Sequence, residues 1–152
     1  MKILACTDGS ENSRKALEKA SLIAAGCNVS EVAVIHVYQP TFNFSTSWEG
    51  RQRTLTEEEI ETLRKLHAEE REERKEIMKD AVDLCKGKNI IPCEIMKEGP
   101  VAHTIVTTAR EEGFDTIVIG SRGLGGLKKL FLGSVSSAVV QEAQDCSVLV
   151  VK

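Results

Sequence analysis

Five short apolar runs alternate with segments of helical periodicity along this chain, and that alternation restricts the fold more than any other feature. Runs of this kind are typical of strands buried on both faces, as they are in a parallel sheet covered by helices. They comprise residues 2–6, 32–37, 90–96, 116–119 and 147–151. The alternation predicts an α/β protein in three α/β/α layers, with helices on both faces of a five-stranded parallel sheet.

Length, charge and aromatic content narrow the functional classes. A chain of 152 residues has the length of one domain, so we expect residues 1–152 to form a single domain. A formal net charge of −3 and 4% aromatic residues argue against a nucleic-acid partner. The sequence has no signal-peptide pattern and no apolar run long enough to span a bilayer, which predicts a cytoplasmic protein without a membrane partner.

The region between the second and third apolar runs carries clear local signals. Thr56–Glu59 is a capping box that opens a long helix ending near Lys86. The middle of that helix, residues 68–76, is almost wholly charged and is expected to be solvated. Pro92 cannot donate a ladder hydrogen bond, so the run 90–96 is expected to be an edge strand.

The segment 39–54 is long for a loop in an α/β domain and carries Phe42, Phe44 and Trp48. Long loops are often lids, binding loops or interfaces. Two interpretations stay open. The aromatic side chains form a lid or a dimer contact, or they only pin the loop to the domain surface.

A glycine-rich stretch after the fourth apolar run has the composition of an anion site. Its spacing is Gly-x2-Gly-x9-Gly-Ser, from Gly120 and Gly123 to Gly133 and Ser134. The first two glycines are expected to let the backbone approach a ligand where a Cβ would collide. A helix pattern begins at Ser134, and the free N–H groups and positive dipole end of a helix start favour phosphate. Nearby side chains that could neutralise or hydrogen-bond a phosphate are Arg122, Lys128, Lys129, Ser134 and Ser136.

The glycine spacing matches neither a P-loop nor the fingerprint of dinucleotide folds. The alternative interpretation is a solvated loop whose glycines only make turns.

The loop after the first apolar run supplies one carboxylate, Asp8. In parallel sheets, ligands bind beyond the carboxyl ends of the strands, where the strand order reverses. If the first and fourth strands are neighbours, Asp8 and the glycine-rich stretch face one crevice. Asp8 is then a candidate for a phosphate or ribose contact. The alternative is that Asp8 is a turn residue that caps the first helix, for which Ser10 is also a good N-cap.

Together these motifs resemble the ATP-binding universal stress proteins over essentially the whole chain. The resemblance is carried by Thr7–Ser10 after the first strand, by His36-Val37, by Asp115–Gly123 and by Leu132–Ser136. It implies a Rossmann-like sheet in the order 3-2-1-4-5. It also implies bound ATP, and ADP or AMP are the alternative occupants. Mg²⁺ could accompany ATP, because phosphate oxygens are hard ligands of the kind that this ion prefers. One departure is Cys6, which stands where members of the family commonly have Pro.

The resemblance implies a set of nucleotide-binding residues. Asp8 would bind the nucleotide from the first loop, and backbone atoms of Val37 would read the adenine. Residues 119–123 would line the ribose and phosphates, and residues 133–136 would hold the phosphates at the start of the last helix. The full set is Thr7, Asp8, Val37, Ile119, Gly120, Arg122, Gly123, Gly133, Ser134, Val135 and Ser136.

The same family pairs its last strand across a homodimer, which implies a homodimer through Val148–Val151 here. An apolar strand at the edge of a sheet leaves unpaired backbone groups in water, a state that proteins usually avoid. Pairing with a second copy closes that edge with two-fold symmetry. The alternative is a terminal strand shielded by the protein's own helices.

No sequence pattern indicates catalysis or a metal held by protein side chains. His36, His67 and His103 lack a Ser, Cys or carboxylate partner at a suggestive spacing, and no cluster has metal-ligand spacing. The five cysteines are odd in number and lack a Cys-x-x-Cys pair, so we expect reduced core residues.

We therefore expect an ATP-binding stress-response or signalling protein that is not an enzyme, with at most slow ATP hydrolysis. One alternative is a nucleotide-using enzyme of the same fold, of the adenylating or pyrophosphatase type. That class would carry a Ser-Gly-Gly-x-Asp-Ser type of loop after the first strand, which residues 7–13 do not match. The other alternative is a dimeric interaction module without a nucleotide.

Overall fold

The computed structural model of the protein describes residues 1–27, 29–39, 56–124 and 132–152. In these residues strands and helices alternate as the sequence predicts. The elements are β1 (Lys2–Cys6), α1 (Glu11–Gly26), β2 (Glu31–Tyr38), α2 (Glu57–Lys86), β3 (Cys93–Glu98), α3 (Val101–Glu112), β4 (Thr116–Gly120), α4 (Ser134–Glu142) and β5 (Ser147–Val151).

The strands form one parallel sheet in the order β3-β2-β1-β4-β5, which confirms the order implied by the family resemblance. β1 lies at the centre, where Cys6 is opposite Ile35 of β2 and Ala5 is opposite Val118 of β4. The chain runs from β1 outward to β3 and then returns to the other side of β1. The strand order therefore reverses between β1 and β4, and a crevice opens there beyond the carboxyl ends of the strands.

Two apolar clusters cover the two faces of the sheet and confirm the three-layer prediction. Successive strand residues point to opposite faces, so Ile3 and Ala5 join one cluster while Leu4 and Cys6 join the other. The first cluster packs against α1 and α2, and the second packs against α3 and α4. Such continuous burial on both faces explains why the strand sequences are apolar without alternation.

The third strand lies at the edge, as Pro92 predicts, but it is shorter than expected. β3 begins at Cys93, whereas the apolar run begins at residue 90. Ile90 instead donates its N–H to the Cys85 carbonyl at 3.0 Å, in the turn that follows α2. Pro92 has no N–H to offer, so the ladder with β2 starts only after it.

The long helix α2 has two different halves. Its capping box is confirmed, because the Glu59 N–H donates to Thr56 Oγ1 and the Thr56 N–H donates to Glu59 Oε2. Met78 and Cys85 in the second half are buried, whereas Ile60 in the first half is 37% exposed. Residues 68–76 are mainly exposed, as their charge predicts.

The placement of the cysteines is only partly as expected. Cys6 and Cys85 are buried core residues, and all five thiols are free. Cys27 and Cys93 are exposed, so the expectation that they are core residues is wrong. Cys27 follows the end of α1, and Cys93 is the first residue of the edge strand.

Some sequence predictions fall on residues outside the described ranges. Residues 40–54 with their three aromatic side chains are among them, as are Lys128 and Lys129. Within the described ranges, no helix combines the length and the hydrophobicity needed to cross a membrane.

Candidate functional site

A cavity of about 380 Å³ lies at the carboxyl ends of β1, β2 and β4, beside the first turns of α3 and α4. This volume falls within the usual range of small-molecule sites. The residues of the nucleotide-binding set implied by the family resemblance all contribute to its wall: Thr7, Asp8, Val37, Ile119, Gly120, Arg122, Gly123, Gly133, Ser134, Val135 and Ser136. The fold thus brings these residues together where the strand order reverses between β1 and β4. The ligand that they bind stays a prediction.

Sequence reasoning did not assign every residue of the wall. The additional ones are Cys6, Ser13, Ile35, Val101, Ile105 and Leu124. The periodicity of α3 shows that Val101 and Ile105 face the sheet. The helical periodicity cannot show that the strands end beneath these two residues, so that their side chains line the cavity.

The Asp8 carboxylate is oriented by the backbone around it. Asp8 Oδ1 accepts the Ser10 N–H at 3.0 Å. Ser10 caps α1 as expected, because its hydroxyl oxygen accepts the Ser13 N–H at 3.2 Å. The Ser10 hydroxyl also donates to the Arg122 carbonyl at 3.5 Å, which joins the first loop to the glycine-rich stretch. Asp8 is therefore a turn residue, as in the alternative interpretation, but Ser10 and not Asp8 caps α1. Asp8 is also a half-buried acceptor at the cavity.

Two of the glycines, Gly120 and Gly123, are required by contacts within the protein. A Cβ on Gly120 would lie 2.7 Å from the backbone carbon of Asn12, so glycine lets α1 pack closely on β4. A Cβ on Gly123 would collide with Asp8 Oδ2. In the described residues these two glycines allow close approach to α1 and to the Asp8 carboxylate, and their expected close approach to a ligand stays a prediction.

The start of α4 presents unpaired donors. Gly133 is the N-cap and has no side chain to cap the helix. The first backbone bond of the helix runs from the Ser137 N–H to the Gly133 carbonyl, at 2.9 Å. Within the described part of the chain, the N–H groups of Ser134, Val135 and Ser136 have no acceptor. Together with the helix dipole, such groups attract an anion.

The Ser136 hydroxyl is not one of these donors. The side chain is buried, and its single proton is directed to the Ser121 or Gly133 carbonyl, each 3.1 Å away. The Ser136 hydroxyl therefore joins the start of α4 to Ser121 or to Gly133, and its backbone N–H is the group without an acceptor in the described residues. The Ser134 hydroxyl is exposed at the cavity, as the sequence suggests.

The charges at the cavity are few. Asp8 and Arg122 carry opposite charges, and Cys6 is the third titratable side chain of the described wall. Burial, and secondarily the charge of Asp8, raises the pKa of the Cys6 thiol, which keeps it neutral and unreactive. No group of three His, Cys, Asp or Glu side chains among the described residues is arranged to hold a metal ion.

Comparisons with known sequences point to one family. The model of the universal stress protein family matches residues 1–152. Universal stress protein YxiE of Bacillus subtilis is 34% identical over 151 residues, which cover 99% of this chain and 98% of YxiE. Universal stress protein MJ0577 of Methanocaldococcus jannaschii is 33% identical over 159 residues, which cover 99% of this chain and 94% of that protein.

Solved structures share the fold. The structure of MJ0577 matches with a TM-score of 0.74 at 30% identity, covering 99% of this chain and 94% of that one. A universal stress protein in complex with cAMP matches with a TM-score of 0.65 at 23% identity and covers 100% of this chain and 96% of its own. The Archaeoglobus fulgidus protein in complex with dAMP matches with a TM-score of 0.65 at 24% identity, covering 100% and 98%.

The last two likenesses are too distant in sequence to show more than a common fold. The family model covers the whole chain, and the two sequence relatives exceed 30% identity over nearly its full length. The chain therefore belongs to the universal stress protein family.

Proposed function

We propose that this protein binds an adenine nucleotide in the cavity between β1 and β4. ATP is the expected occupant, with ADP or AMP as alternatives, and occupancy would serve a stress-response or signalling role. The observation that carries the proposal is the start of α4, where three backbone N–H groups line the cavity without an acceptor in the described residues. Phosphate oxygens supply the acceptors and the negative charge that such a helix start favours.

The other end of the cavity suits a base. Its wall includes apolar side chains from β2, α3 and β4, among them Ile35, Ile105 and Ile119. Val37 lies two residues beyond Ile35, whose carbonyl accepts the Thr7 N–H at 2.9 Å in the last β1–β2 contact. Because a strand repeats every two residues, the N–H and carbonyl of Val37 point to the same side as those of Ile35, toward β1. At Val37, however, β1 has already ended. They are therefore placed to hydrogen-bond the edge of an adenine.

Two structures of the same fold hold cAMP and dAMP, and both ligands combine an adenine base with a phosphate. These likenesses support the ligand class, while the main argument rests on this chain's own residues. Mg²⁺ would accompany ATP through the phosphate oxygens. Asp8 is the carboxylate in the described wall that could contribute a ligand oxygen.

We propose a binding protein with at most slow hydrolysis rather than an enzyme. The titratable groups of the described wall are Asp8, Arg122 and a thiol kept neutral by burial. Asp8 already accepts the Ser10 N–H, and no histidine of the described residues lines the cavity. Rapid multiple turnover of ATP by the purified protein would contradict this assignment and favour the enzyme alternative.

We also propose a homodimer that pairs the β5 edge, in a cytoplasmic protein. β5 lies at the end of the sheet, with an apolar sequence from Val148 to Val151. The side chains of Val148–Val151 are half-buried against the two apolar clusters of the sheet. The groups that a second copy would pair are therefore the backbone N–H and carbonyl groups on the outer edge of β5.

The phosphate assignment is tested by placing a negative charge at the start of α4. Ser134→Asp suits a helix start, so the fold should be unchanged or slightly stabilised. Electrostatic repulsion should weaken ATP binding about tenfold, measured by calorimetric titration with and without Mg²⁺. Ser134→Asn is the matched neutral variant and should bind ATP nearly as wild type does.

Adenosine, which lacks phosphate, separates the two ends of the site. Its binding should be the same in Ser134→Asp and in the wild type. Equal ATP affinity in both proteins would show that the phosphates do not lie at α4. A folded wild-type protein that binds neither ATP, ADP nor AMP at millimolar concentration would overturn the proposed function.

A further inference from the structure

We propose that His36 is a positioning residue for the nucleotide-binding loop Thr7–Gly9, and that α2 holds both His36 and this loop in place. The inference deepens the proposed function, on which its ligand-binding part rests. It concerns residues outside the cavity wall: His36 and Tyr38 on β2, and Arg74 and Ile77 on α2.

Every polar group of Thr7 is engaged by the protein. Its N–H donates to the Ile35 carbonyl, and its hydroxyl lies 3.4 Å from Ser13 Oγ and accepts the Gly9 N–H at 3.3 Å. Its carbonyl oxygen lies 2.9 Å from Nδ1 of His36, a side chain that is 6% exposed. A carbonyl can only accept, so Nδ1 carries the proton and the tautomer of His36 is fixed.

This bond determines the orientation of the peptide between Thr7 and Asp8. In a trans peptide the carbonyl oxygen and the following N–H point to opposite sides, and the described residues include no cis bond. The Thr7 carbonyl turns toward β2, where His36 lies, so the Asp8 N–H turns away from β2. β1 lies between β2 and β4, so that N–H faces the crevice where the cavity opens.

His36 is connected to α2 through an aromatic contact. The His36 and Tyr38 rings lie on the same face of β2, with centroids 6.4 Å apart and planes inclined by 24°. The Arg74 guanidinium carbon lies 3.9 Å from the centroid of the Tyr38 ring, a cation–π contact. Glu70 orients Arg74, with Nη2 and Oε2 2.7 Å apart.

A second contact from α2 reaches the loop directly. Gly9 has φ +80°, and a Cβ built on it would lie 3.1 Å from Cγ1 of Ile77. Ile77 is three residues after Arg74 and therefore lies on the same face of the helix. α2 thus supports the loop on both sides of Asp8, through His36 at Thr7 and through Ile77 at Gly9.

Two substitutions at His36 separate the hydrogen bond from simple packing. Asn can present an N–H donor near the position of Nδ1, whereas Leu fills similar space without a donor. In His36→Leu the loop loses the bond to the Thr7 carbonyl, so we expect nucleotide affinity to fall about fivefold. In His36→Asn most of that loss should be recovered.

Amide hydrogen exchange on the nucleotide-free protein provides a readout that does not depend on binding. In His36→Leu the amides of Gly9 and Ser10, which are hydrogen-bonded within the turn, should exchange faster, while amides in the centre of the sheet keep their protection. Arg74→Met should act in the same direction with a smaller effect. Arg64→Met is the matched control, since Arg64 is a highly exposed α2 residue paired with Glu61 at 3.9 Å.

Wild-type affinity and unchanged loop exchange in a folded His36→Leu protein would overturn the inference. Equal loss in the Asn and Leu variants would also overturn it, because the effect would then come from packing. If the wild type binds no nucleotide, the proposed function fails, and the exchange measurement still decides whether His36 and α2 position the loop.

Discussion

Asp8 and Gly123 come from opposite ends of the chain, yet the carboxylate of one occupies the space that a side chain on the other would need. The Asp8 carboxylate accepts the Ser10 N–H, so it cannot move without breaking a bond of the turn. This contact explains why a glycine is needed in the loop after β4. The sequence predicts that a glycine there permits the close approach of a ligand, which stays a prediction, but it could not show that the Asp8 carboxylate lies against the same position.

Gly123→Ala should therefore displace Asp8 and weaken nucleotide binding. We expect an affinity loss of about tenfold, as the new methyl group forces the carboxylate out of the turn geometry. Gly26→Ala is the control, because a Cβ on Gly26 meets no atom within 4 Å. It should leave the affinity unchanged and stabilise the end of α1 by about 0.5–1 kcal/mol. Isothermal titration and urea unfolding measure both effects, and an unaffected Gly123→Ala would show that Asp8 can relax freely.

At the scale of elements, the apolar periodicity was sufficient to locate every strand and helix of the described chain. The periodicity gave a wrong boundary where a single residue decides it: Pro92 lacks an N–H, so β3 begins only after it. Ile60, Leu63 and Leu66 form an apolar stripe on α2 in the sequence, yet Ile60 and Leu66 are exposed and Leu63 is only half-buried. A periodic stripe shows that a helix can bury one face, while only the tertiary structure shows whether a partner surface is present there.

The edge strand β5 allows a test of dimerisation that leaves the monomer intact. Ser147 donates its N–H to Asp115, and the Val151 carbonyl accepts the Ser121 N–H, so alternate residues face β4. The backbone groups of Val148 and Val150 therefore point outward. Val150→Pro removes one outward N–H and keeps the β4 ladder, so a dimer built on this edge should dissociate. Sedimentation analysis should show a monomer for Val150→Pro and a dimer for Val150→Ala, and a dimeric Val150→Pro would place any dimer interface elsewhere.

At the scale of the whole molecule, the residues of the candidate site were easier to predict from the sequence than the contacts that hold the Thr7–Gly9 loop in place. The glycine spacing and Asp8 were visible as short motifs, because their chemistry depends on residue type and position. The contacts of His36 with Thr7 and of Arg74 with Tyr38 join elements that are far apart in sequence. No local sequence pattern encodes such contacts, since they depend on which side chains the fold brings together on one face of the sheet.

Buried thiols should make the stability of the whole fold sensitive to alkaline pH. Burial raises the pKa of Cys6, Cys85 and Cys146 above the ordinary value of 9.0. The folded state therefore binds these protons more tightly than the unfolded state. Their contribution is fully present at neutral pH and is lost as the pH rises above about 9.

For Cys6 alone, the free energy of unfolding should fall by about 1 kcal/mol between pH 8 and pH 10. Cys6→Ala should flatten this pH dependence, whatever its stability at neutral pH. Cys93→Ala changes an exposed thiol and is the control that should keep the wild-type slope. Urea unfolding at several pH values measures the slopes, and identical slopes for Cys6→Ala and wild type would contradict the assignment.

The central place of β1 in the sheet has a consequence for the order of events during synthesis. β1 is made early and can pair with β2 almost at once, but β4, its neighbour on the other side, emerges more than a hundred residues later. Until then the Asp8 loop has no opposing wall, and a nascent chain or a fragment without β4 and α4 has no cavity. A ligand could therefore bind only after both halves of the sheet have been synthesised. Its binding would stabilise only those chains that have completed the last steps of folding.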